Sequence, residues 1–240
     1  MVWKMSKKKN KNSNYKNNVT KDTEVQAKPT LSPEAIKKII ISAAALVLVA
    51  VIALTVILTQ PKEFVLKDSG PVPDTAYVEM DFGSYGKIVI KVDGKKAPIT
   101  TKNFLDLVYS DFYDGLTIFR AQRGFVIQGG ENKKIDLTPI KGEFTSNGVD
   151  NNITHNRGVI SMARTNDPNS ATSQFFITLD DSASRSLDGS YAAFGWVIEG
   201  MDVVDSIAEA LYGHAVNYMG FVDDSDAITI KSAKIIDYKE

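Results

Sequence analysis

The chain has 240 residues, 43% hydrophobic and 24% charged, which is ordinary for a globular protein and excludes a disordered or fibrous main body. Its charge is divided: up to Lys38 there are ten Lys against three acidic residues, a net of +7, while the remainder carries 18 basic and 26 acidic residues, a net of −8. An acidic folded part argues against nucleic acid as a partner, and the absence of cysteine removes disulfides, thiolate metal sites and cysteine nucleophiles.

Residues 1–38 are Lys, Asn, Ser and Thr with almost no apolar periodicity, and they read as a disordered basic tail. Residues 39–59 come next, 21 positions without a charge, of which thirteen are Ile, Leu or Val and five are Ala. As a helix this run is about 31 Å long, against a hydrocarbon core of about 30 Å. A cleaved signal peptide or a buried core helix predicts a shorter apolar run, so the segment is expected to be a single transmembrane signal-anchor. The lysines on its N-terminal side predict a cytoplasmic N-terminus in a cell membrane and an extracytoplasmic domain. Residues 60–73, with three Pro and one Gly, read as a flexible linker to a domain over 74–240.

Within that domain AYVEMDF and KIVIKV flank the turn GSYG, which predicts a hairpin. Pro98 opens a helix whose apolar face carries Phe104, Leu107 and Val108. LTIFR, FVIQG, GVISMA, QFFITL, YAAFGWVI and AITIKSAKII are further strand candidates, and a second helix over 201–211 repeats Val203, Ile207 and Leu211 every four residues. Many short strands with few helices between them predict an antiparallel sandwich or barrel.

There are only two histidines, His155 and His214, far apart, and no phosphate loop, dinucleotide fingerprint or metal cluster. Two segments place polar side chains inside apolar strands, 116–130 and 161–179, and buried polar groups need a reason. TIFRAQRGFVIQGG resembles the cyclophilin signature in which Phe-His-Arg is followed by Phe-x-x-Gln-Gly-Gly. SMARTNDPNSATSQFF and LDGSYAAFGWVIEGMDVVD are similar to two further segments of that family, in the family's order. The resemblance covers residues 76–238. It implies a mainly β fold, a closed eight-stranded antiparallel barrel capped by two helices, with substrate in an outer groove. The implied activity is peptidyl-prolyl cis/trans isomerisation of proline-containing polypeptides, assisting the folding of exported or cell-surface proteins, with no cofactor and no metal. The alternative is a proline-segment binding module or chaperone with little turnover.

Carried over residue by residue, the resemblance makes Arg120 the catalytic cation and Gln128 the residue that holds it. Phe125, Val126, Phe176 and Leu187 would line the proline slot, Ala163, the Arg164 backbone and Gln174 would grip the preceding chain, and Tyr191 would close one wall. Alternation in QFFIT is expected to send Phe175 to the core and Phe176 to the groove. Phe119 stands where the family usually has His, Arg164 where Asn is common and Tyr191 where His is common. Ser186 stands where many members carry Trp, which argues against tight cyclosporin binding.

Overall fold

The computed structural model describes residues 31–59 and 64–239; residues 1–30 of the tail expected over 1–38 and residues 60–63 of the expected linker lie outside them. The chain divides into two compact units, one up to Lys62 and one from Glu63 onward.

The first unit contains the helix α1, Pro33–Thr59, which starts six residues before the apolar run. The cause is local: Ser32 accepts from the Ala35 N–H, Pro33 occupies the first turn and Glu34 adds an acidic residue there, all features that favour a helix start. Its described large apolar side chains are exposed along its length, and it is long and apolar enough to cross a membrane.

The second unit is one nine-stranded antiparallel sheet. In chain order its elements are β1 (Thr75–Asp81), β2 (Lys87–Asp93), α2 (Pro98–Tyr109), β3 (Thr117–Gln122), β4 (Val126–Gly129), β5 (Val159–Met162), β6 (Phe175–Thr178), α3 (Ser184–Leu187), β7 (Ala193–Glu199), α4 (Met201–Tyr212), β8 (Ile228–Thr229) and β9 (Ser232–Ile236). The strands lie in the order β8-β3-β4-β6-β5-β7-β2-β1-β9. The expected hairpin is present, β1 pairing with β2 from Thr75↔Asp93 to Asp81↔Lys87.

The sheet has one strand more than the eight expected because the stretch read as AITIKSAKII is broken at Ile230 and Lys231. There the Ile230 N–H donates to Leu116 O and the Lys231 N–H to Asp81 O. The outermost strands β8 and β9 are thus consecutive pieces of one stretch, and the sheet curls until its two edges are carried by neighbouring residues.

Inside the curl, Phe104, Tyr113, Phe175 and Phe194 are fully buried and packed ring against ring at centroid distances of 5.0 to 6.4 Å. The Tyr113 hydroxyl donates to Ser173 O, and its burial pushes its pKa far above the ordinary value. The helix α4 buries Val203, Val204, Ile207, Ala208 and Leu211 against this core, the stripe its sequence predicts. The helix α2 buries Phe104, Leu105, Leu107 and Val108, and its first turn is closed by a distant residue. Buried Glu143 accepts from the Ile99 and Thr100 N–H groups and from the Thr100 hydroxyl.

Residues 64–73, expected as free linker, are bound to the domain. Phe64 packs edge-on against Phe112 at 5.2 Å, the Lys67 N–H donates to Ser110 Oγ, and the Ser69 N–H donates to Asp106. The prolines and glycine there shape a strap along α2 and its C-terminal turn.

Candidate active site

Strict alternation along β3 would put Arg120 on the same face as Ile118, which is fully buried in the core. A register shift between Ile118 and Arg120 prevents this: Ile118 pairs with Gly129 and Arg120 with Gln128, leaving Phe119 as the extra residue. Such a bulge re-aims the residues after it, so Arg120 and Gln122 face outward while Ala121 returns to the core.

Three acceptors fix the guanidinium. Arg120 donates from Nε to Met219 O at 2.8 Å, from Nη1 to Gln128 Oε1 at 2.7 Å and from Nη2 to Gln122 Oε1 at 2.7 Å. Gln128 Nε2 donates to Gln174 Oε1 at 2.9 Å, and Gln174 Nε2 to Glu131 Oε1 at 3.1 Å. A cation at one end and a carboxylate at the other dictate the orientation of both amides between them. Burial draws the Arg120 pKa below its ordinary value, opposed by Tyr191, but guanidinium starts so high that it stays charged at neutral pH.

Beside this cation lies an apolar cluster separate from the main core: Val126, Phe176, Ala183 and Leu187, with Phe125, Ala163 and Tyr191 packed on it. Alternation supplies it. Val126 faces the groove and Ile127 the core in β4, and Phe176 faces the groove and Phe175 the core in β6. Leu187 arrives on the one-turn helix α3, which the sequence patterns did not predict. Phe176 meets Tyr191 edge-on at 5.5 Å. The cavity they bound holds about 340 Å³ and is lined by nine of the ten expected site residues together with Met219 and Phe221. The tenth, Gln174, is bonded to Gln128 and lines a larger cavity of about 610 Å³ that adjoins along Gln128 and Phe221.

The structure therefore brings together Arg120, Phe125, Val126, Gln128, Ala163, Arg164, Gln174, Phe176, Leu187 and Tyr191. Phe119, in the bulge, stacks on Phe221 at 6.1 Å. Ser186 is exposed and donates to Ala183 O, so it adds no wall to the pocket. Behind Phe176, fully buried His155 contacts Asp188 through Nδ1 at 2.8 Å and Ser161 Oγ through Nε2 at 3.0 Å, its ring stacked on Phe176. An Asp-His-Ser series suggests a hydrolase, but Ser161 is fully buried in β5 and no substrate reaches it. The trio is a support beneath the pocket floor.

Sequence reasoning missed Gln122, Glu131 and Met219. Gln122 was legible, because it shares a strand face with Arg120 two residues earlier. The Met219 contact is a main-chain carbonyl, which no side chain announces; the one hint is Gly220, with φ of 83° and no room for a Cβ, which would lie 2.1 Å from Ala121 O.

Residues 77–237 match the family model for cyclophilin type peptidyl-prolyl cis-trans isomerase/CLD. The chain is 41% identical to peptidyl-prolyl cis-trans isomerase A of Dickeya dadantii over 161 residues, 64% of this chain and 81% of that one. To peptidyl-prolyl cis-trans isomerase B of Escherichia coli it is 41% identical over 143 residues, 55% of this chain and 84% of that one. Among solved structures, a cyclophilin type peptidyl-prolyl cis-trans isomerase of Cryptosporidium parvum superposes with a TM-score of 0.57 at 24% identity, covering 69% of this chain and 99% of that one.

Proposed function

This chain belongs to the cyclophilin-type peptidyl-prolyl cis-trans isomerases, and we propose that it serves exported or cell-surface polypeptides from a membrane anchor, with Arg120 as the catalytic cation. An X-Pro bond resists rotation because the nitrogen lone pair is delocalised into the carbonyl, which sets a barrier of about 18–20 kcal/mol. In the twisted transition state the lone pair returns to nitrogen, which becomes a hydrogen-bond acceptor. A donor aimed there binds the transition state better than either planar isomer, and only such a difference accelerates the step.

The observation that carries this reading is a guanidinium fixed at three points beside an apolar pocket. Guanidinium has five N–H donors, so the three internal bonds leave donors for the substrate. Phe125, Val126, Phe176 and Leu187 hold the proline ring while the preceding residue turns, Ala163, the Arg164 backbone and Gln174 hold the chain before it, and Tyr191 forms the wall. One preorganised donor contributes about 3–4 kcal/mol, a few hundredfold in rate. No proton moves, which is why the fixed cation suffices without a histidine base.

The lysine-rich stretch before the apolar helix supports an N-terminus in the cytoplasm and a catalytic domain outside it. Arg120→Ala in the full chain, assayed by protease-coupled cleavage of a proline peptide, is expected to lose at least a hundredfold in kcat/KM. Turnover equal to that of the parent chain would remove Arg120 from the mechanism, and peptide binding without any turnover in the parent would make the protein a proline-segment binder.

A further inference from the structure

Arg164 sits at the groove edge, but its side chain is spent inside the protein. Nε and Nη2 both donate to Ser190 O, at 3.0 and 2.8 Å, and Nη1 donates to Thr165 O at 2.7 Å. The guanidinium carbon lies 4.7 Å from the centroid of the Tyr191 ring and 5.1 Å from that of buried Phe144. The same cation thus contacts two aromatic rings and grips the carbonyl of the residue preceding Tyr191. Tyr191 in turn meets Phe176, the pocket floor.

Resting on the isomerase reading of this groove, we infer that Arg164 is a positioning residue. Its side chain staples the edge at Ala163 to Thr165, along which the chain before proline would lie, to the Tyr191 wall of the proline pocket. The distance between those two edges sets the groove width, so the staple tunes how well the substrate is held rather than how the bond is rotated. Arginine is required: a planar fork can bond one carbonyl through two nitrogens while contacting aromatic rings, and a lysine ammonium cannot.

The test uses the full chain in detergent micelles, measuring both equilibrium affinity for a proline-containing peptide and isomerisation kinetics. Arg164→Ala is expected to weaken affinity and raise KM by roughly tenfold, with kcat within about twofold of the parent. Arg164→Lys should recover little of the loss. Tyr191→Ala combined with Arg164→Ala should fall no further than Tyr191→Ala alone, because the arginine acts through that ring. If Arg164→Ala does not fold, Phe144→Leu removes one of the two rings and should give a smaller loss of affinity in the same direction. Full recovery by lysine, or losses that multiply in the double variant, would overturn the staple. Arg120→Ala, losing kcat while keeping affinity, separates the two readings. A parent that binds without turnover fails the isomerase reading and leaves the staple to be judged on affinity; a parent that does not bind fails both.

Discussion

Arg120, Gln128, Gln174 and Glu131 form a series in which each donor has one acceptor, and the charges at its ends leave neither amide free to flip. Small misplacements of a catalytic group are costly, so with Arg120 in the role proposed for it Gln128→Ala should lower kcat by roughly ten- to a hundredfold and Glu131→Ala by a few fold. Steady-state isomerisation kinetics, with thermal unfolding as the check on folding, measure both. His155 supplies a second residue-scale expectation. Burial lowers its pKa, opposed by its bond to Asp188, so the folded state disfavours the protonated ring. Because the unfolded chain takes up that proton more readily, stability should be complete above about pH 6.5 and decline as pH falls below it. Melting temperature against pH reads this, and His155→Asn should flatten the slope over that range. Most of the candidate site was legible at this scale: the ten residues that the structure brings together stand in three segments whose order the sequence displays. What was not legible is the bulge at Phe119, which decides that Arg120 faces the groove and not the core, since a bulge is set by pairing with β4 and not by the composition of β3.

At the scale of elements, the long periodic pieces were readable and the short ones were not. The hairpin of β1 and β2, the opening of α2 at Pro98 and the buried stripe of α4 all arise from patterns that repeat several times. The helix α3 spans four residues, too few for any period to show. The break between β8 and β9 arises because Ile230 bonds to Leu116, just before β3, and Lys231 to Asp81 in β1, the strands next to the sheet's two opposite edges. The start of α2 is a further case: its N–H groups are capped by Glu143, 43 to 44 residues on, where no local capping signature exists. Glu143→Ala would leave buried donors without an acceptor at the positive end of the helix, and should cost about 2–4 kcal/mol in chemical denaturation. A loss below about 0.5 kcal/mol would mean that water replaces the carboxylate there.

The whole molecule carries an exposed apolar helix near the N-terminus and an isomerase domain whose strap, from Phe64 onward, is bound to its own α2. Composition did not show this docking of residues 64–73, because Pro-rich sequence looks the same whether it is loose or docked. The charge asymmetry predicts the topology. On intact cells carrying the full chain, added protease should digest the domain and spare an N-terminal tag, and a protected domain would reverse the orientation. On the function proposed above, a single fixed guanidinium lowers the barrier to rotation about X-Pro. NMR exchange spectroscopy on a proline peptide, with parent chain and Arg120→Ala each held at the same bound fraction, measures that effect. The parent is expected to exchange cis and trans signals at least a hundredfold faster than the variant; equal exchange at equal occupancy would mean that Arg120 does not accelerate the rotation.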